Sequence, residues 1–129
     1  MSINTEGGIP MKTIMIVMLM LLVCSWAAVV QAQAADEAGK KIFTDNKCNT
    51  CHSIDSAGIK STMGEKSPAA KKGMADLSNV GSSHDAAWMI KYLKKEETIK
   101  DVKHVKGWAG SEADLKTLAD WLATLKKKE

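Results

Sequence analysis

Cys48-Asn49-Thr50-Cys51-His52 is the stretch on which the reading of this 129-residue chain turns. Two thiols three positions apart can each add to a vinyl group of a porphyrin, and the imidazole that follows is then carried under the iron. The stretch therefore reads as an attachment site for one haem c, with Cys48 and Cys51 forming the thioethers and His52 binding the metal. A haem is larger than any side chain, so apolar residues elsewhere are expected to wrap it. Three other readings are weaker. A thioredoxin-like redox pair needs a preceding strand and a βαβ pattern, and neither is visible. A zinc site would draw four ligands from Cys48, Cys51, His52, His84 and His104, but the adjacent Cys51 and His52 point apart on the backbone. A disulfide within so tight a loop would be strained.

Upstream, residues 1–34 read as a secretory signal. Lys12 is the basic start, Ile14 to Val23 is an apolar run, and Ala32-Gln33-Ala34 has the small-x-small pattern of a cleavage site. Met11, followed directly by Lys12, is a second candidate start of translation. The alternative is an uncleaved anchor, since Ile14 to Val30 comes close to the length needed to span a bilayer. Cys24 follows Val23 rather than a small residue, so it does not suit a lipoprotein site and would leave with the signal. Residues 35–129 then form one domain, too short to bury a large core without help. A bound haem is such help.

The 18 basic residues are all lysine, and with 15 acids they leave a net charge of +3. Without arginine, and without a basic block interleaved with aromatics, nucleic acid is not an implied partner. Asp36 to Thr44 suits a short helix, with Gly39 inside it at a cost of roughly 1 kcal/mol against alanine. Ser53 to Asn79 is broken by Gly58, Gly64, Pro68 and Gly73 and reads as loop. A helix is expected from Ser82-Ser83-His84-Asp85 through Lys95, with Trp88, Met89, Tyr92 and Leu93 at helical spacing. The last helix is expected from Ser111 to the tail Lys126–Lys128, with acids at its start and lysines at its end. Leu115, Leu118, Leu122 and Leu125 make its apolar stripe beside Trp121. No run alternates as a strand would, so the domain is expected to be all-α with long loops.

This order of elements resembles the small single-haem bacterial cytochromes c of class I. The likeness rests on Gly39-x-x-x-Phe43, on Cys48 to His52, and on Leu77-x-x-Val80-Gly81 followed by Trp88-x-x-x-Tyr92-Leu93. Leu115-x-x-Leu118-x-x-Trp121-Leu122 completes it. The resemblance implies about three main helices wrapped around one covalently bound haem. It also implies a close crossing of the first and last helices at Gly39, with Phe43 and Trp121 packed there, and a hydrogen bond from Trp88 to a haem propionate.

Two positions depart from the family pattern. Met74 and Ala75 stand where Gly-Pro is common, so a backbone carbonyl near Ala75 is expected to accept from the His52 ring in place of the proline carbonyl. No methionine follows Met89 to serve as the usual sixth ligand. His104 lies where that methionine would be, seven residues before Ser111, and is the expected ligand. Met63, Met74 and Met89, the solvated-loop reading of His104, and a vacant position are the alternatives, and His84 sits where the family is exposed. By the resemblance the protein is expected to be a periplasmic electron carrier rather than an enzyme, monomeric, docking transiently with redox partners through its lysines. It would touch a membrane only if the N-terminal segment stayed on. The alternative is a five-coordinate haem protein acting as a sensor or a peroxidase-like enzyme.

Overall fold

The computed structural model describes residues 10–74 and 76–126. The chain divides into two compact units, Met1–Ala34 and Ala35–Glu129. The α-helices among the described residues are α1 (Met11–Asp45), α2 (Pro68–Lys71), α3 (Ala86–Leu93) and α4 (Glu112–Thr124). Single 3-10 turns stand at Cys48–Thr50, Asp55–Ala57, Gly64–Lys66 and Val80–Ser82. Extended pairing among the described residues is limited to isolated bridges, of which Ser53 with Asp76 and Ile99 with Val102 matter below. The expected all-α class is what is found.

The first unit is helical from Met11, and the side chains of Met11, Met15, Met18, Leu19 and Met20 stand exposed along it. Among the described residues no helix is long and apolar enough to cross a membrane. Met1–Ile9, the beginning of the expected signal, lie outside the described residues. α1 runs through Ala34 and contributes its last turns to the second unit, so it begins well before the expected Asp36. Neither glycine nor proline occurs between Lys12 and Ala38 to stop it.

In the second unit the last turns of α1 pack on α4, as expected from Gly39, Phe43 and Trp121. Gly39 is buried, and a Cβ there would overlap the Trp121 ring, so only glycine permits this approach. Phe43, 1% exposed, meets Trp121 edge to face with ring centres 6.0 Å apart. Trp121 Nε1 donates to Asp36 Oδ1 at 2.7 Å, and Lys40 bonds the same carboxylate. Those hydrogen bonds, from Lys40 first and Trp121 second, hold the Asp36 carboxyl below the ordinary carboxylate range. Leu115, Leu118, Ala119 and Leu122 bury the rest of the α4 stripe, and Ile54 and Met89 belong to the same core.

Helix ends account for most differences from expectation. Asp85 and Ser111 cap α3 and α4, their side chains accepting from Trp88 N and Asp114 N. α3 stops at Leu93 because Lys95 turns into the left-handed region (φ 63°) and the Glu96 N–H returns to the Lys91 carbonyl. α4 stops at Thr124, short of the lysine tail expected to complete it. Leu125 instead turns extended, and its carbonyl accepts from Gly81 N at 2.8 Å. Gly81 lies so close to the Ala123 carbonyl that a Cβ would collide with it. Within the expected loop, Ser67 and Pro68 start α2, a serine cap and a proline at N1, and Gly73 (φ 69°) ends it.

Candidate functional site

The motif begins where α1 ends. Lys47 adopts a left-handed conformation (φ 57°) that breaks the helix, and Cys48–Thr50 winds into a 3-10 turn. The N–H groups of Cys51 and His52 both return to the Cys48 carbonyl, at 3.2 and 3.1 Å, so the two thiols lie one turn apart with His52 directly after them. Thr62 N and Met63 N donate to the carbonyls of Asn49 and Thr50, fastening the following loop to the motif. Cys48 and Cys51 are free thiols, half buried. Burial pushes the Cys48 thiol up from its ordinary value, against a smaller downward pull from the charge of Lys106.

His52 Nδ1 donates to the Met74 carbonyl at 3.0 Å. A carbonyl only accepts, so this nitrogen carries the proton, which selects the tautomer in which Nε2 is the metal-binding nitrogen. The expectation of a backbone acceptor is met at Met74, one residue before Ala75, which itself lies outside the described residues. α2 delivers that carbonyl: Met74 N and Gly73 N donate back to Ala69 and Ala70, and Leu77 N pairs with Ser53 O just beyond His52.

His104, in the loop between α3 and α4, repeats the arrangement. Its Nδ1 donates to the Lys106 carbonyl at 2.5 Å, again leaving Nε2 to bind. The structure brings the rings of His52 and His104 together from distant parts of the sequence, with centres 6.0 Å apart and planes 17° from parallel. That is too far for stacked rings, whose atoms touch at about 3.5–4.0 Å. Metal–nitrogen bonds of about 2.0–2.1 Å, with the short span from each nitrogen to its ring centre, would give roughly this separation if both imidazoles held one metal.

The other residues singled out by sequence differ in burial and contacts. Met89 is 4% exposed and belongs to the core, whereas Met63 is 42% exposed in a surface loop. Trp88 is sandwiched between His84, 3.7 Å away ring to ring, and Tyr92, 4.9 Å away. Tyr92 then meets His104 edge-on at 5.4 Å, a contact that the sequence reading did not anticipate. Lys106 was not singled out for ligand placement by sequence, because what it offers His104 is a main-chain oxygen.

Haem fits these residues. Among the described residues no group of three or more His, Cys, Asp or Glu side chains could hold a metal ion by itself. Cys48, Leu77, Trp88, Leu93 and Trp108 pack on the core yet stay only half covered, the state expected of apolar groups that a flat ring system would finish burying. The protein family described as Cytochrome c matches the chain over residues 37–126. No curated protein and no solved structure matches it.

Proposed function

The chain belongs to the cytochrome c family, and from that premise we propose that it is an exported one-electron carrier whose haem iron is held by His52 on one side and His104 on the other. As in the family, haem c is attached through Cys48 and Cys51 and supplies a ferrous/ferric couple that takes and gives single electrons. The polypeptide's part is to hold both imidazoles in the tautomer that binds, to cover the group with apolar side chains, and to present lysines to a partner.

The observation that carries the histidine pair is the approach of two imidazoles to 6.0 Å between ring centres, each with Nδ1 given to a backbone carbonyl. The methionine alternatives have less in their favour. Met89 is packed in the core, Met63 is on the surface, and Met74 lends its carbonyl to His52 on that ring's own side. Trp88 is the proposed propionate donor, since its indole N–H needs an acceptor once covered.

The test is spectroscopy of the holoprotein. The ferric wild type should be low-spin without the long-wavelength sulfur-to-iron band, and His104→Ala should become high-spin and bind carbon monoxide rapidly once reduced. His84→Ala should change neither property. A low-spin His104→Ala protein would return the choice to the methionines. Rapid carbon monoxide binding by the wild type would instead favour the five-coordinate sensor or peroxidase-like reading.

Export to the periplasm rests on the Lys12 start, the apolar run and Ala32-Gln33-Ala34. Removal of residues 1–34 would make Ala35 the first residue of the exported protein, which N-terminal sequencing reads directly. Retention of the apolar segment would favour the anchored form.

A further inference from the structure

The loop that carries His104 is built from strained parts. It leaves α3 through Lys95 at φ 63°, and its base closes where Trp108 N donates to the Leu93 carbonyl at 3.0 Å. Its tip is a two-residue turn in which Ile99 and Val102 exchange both backbone hydrogen bonds at 3.0 Å, with Lys100 and Asp101 at φ 49° and 60° between them. Positive φ at both central positions favours Asn-Gly, so Lys-Asp holds this turn at a cost. These bonds close the loop on itself or onto α3. They do not tie the segment around His104 to the haem-attachment motif.

Lys106 makes that tie. Its Nζ donates to the carbonyl of Asn46 at 2.8 Å, across sixty positions of sequence. Asn46 directly follows the last residue of α1 and stands two residues before Cys48, so its carbonyl belongs to the helix end that attracts a cation. The main-chain carbonyl of Lys106 itself accepts from His104 Nδ1. We propose that Lys106 is a positioning residue for the sixth ligand: its side chain fastens the loop to the thioether segment, and its main chain aims the His104 ring. This rests on His104 being the ligand. Lysine suits the position because its stem reaches the carbonyl and its ammonium donates to it, whereas methionine keeps the length and lacks the donor. Lys106 is exposed, so its replacement opens no hole in the core.

The experiment follows carbon monoxide entering the reduced holoprotein, a rate set by how often His104 leaves the iron. Lys106→Met should raise it by roughly threefold to tenfold, the range expected for one lost hydrogen bond. The ferric high-spin fraction should rise with it while the thermal midpoint stays near that of the wild type. Lys106→Arg, which restores a cationic donor, should return both readouts most of the way. If the methionine variant gives too little holoprotein, Lys106→Gln, whose amide is too short to reach Asn46, takes its place with the same expectation. A wild-type rate in Lys106→Met, or an arginine variant that behaves like methionine, overturns the clamp. His104→Ala, measured alongside, separates the two claims. If it is high-spin while Lys106→Met is unchanged, only the clamp falls; if it stays low-spin, both fall.

Discussion

Asp36 anchors the last turns of α1 to Trp121, and its carboxyl, held below the ordinary range by Lys40 and Trp121, makes that anchor depend on pH. A depressed folded-state pKa contributes stability above the unfolded carboxylate value, and the contribution is lost as pH falls through the lowered one. The side chain is 44% exposed, so solvent screening keeps the effect below about 1 kcal/mol. Asp36→Ala should therefore lower the thermal midpoint slightly at neutral pH, and the gap from wild type should close in strong acid. A gap that is the same at both pH values would rule out this origin. Residues of this kind divide by what their partners are. Cys48, Cys51 and His52 could be read from spacing, because thioether chemistry needs those side chains there. His104 was expected from position, no methionine following Met89, and its ring centre lies 6.0 Å from that of His52. The acceptor for His52 could be placed near Ala75 only through the resemblance, and the Lys106 carbonyl could not be placed in advance, since every residue has a main-chain oxygen and only the fold selects one.

Between elements, the α1–α4 crossing depends on a missing Cβ. Gly39→Ala would push a methyl into the Trp121 ring, and with helix backbone on one side and a buried indole on the other there is little room to yield. Alanine's better helix propensity offsets roughly 1 kcal/mol, against an overpacking cost of about 1–3 kcal/mol or more. A net loss of stability on thermal or denaturant unfolding is expected, and an unchanged or raised midpoint would mean that the helices stand further apart in solution. Caps were the legible parts of these elements, because Asp85 and Ser111 act on the N–H groups three residues along. Stop positions were not. α4 ends where Gly81 draws the Leu125 carbonyl away, and that partner is far away in sequence. The single turn of α2 carried its own signal in Ser67-Pro68, outweighed by the glycines on either side.

For the whole molecule, what lies outside the core is a lysine-rich surface. Lys91, Lys95, Lys100, Lys103 and Lys106 are exposed on or near the His104 loop, while Lys94 is paired with Glu112 at 2.7 Å. Electron carriers favour small, fast-exchanging interfaces below about 1,200 Å² steered by charge. Electron transfer to an acidic partner should slow as ionic strength rises, since the Debye length shrinks from about 10 Å at 0.1 M salt to about 3 Å at 1 M. A rate indifferent to salt would remove lysine steering.

The meeting of Asp36, Gly39 and Phe43 with Trp121 has one more consequence. The bond from Trp121 to Asp36 joins positions 85 apart, and much of the buried core belongs to α4. A chain truncated before Ser111 keeps the thioether motif and both histidines but leaves Phe43 with no indole to meet. Such a fragment has nothing to shut it and stays open to proteases. Completeness of the polypeptide is thus a condition for closing the core, and a chain cut before Ser111 should be digested faster than the whole protein in limited proteolysis.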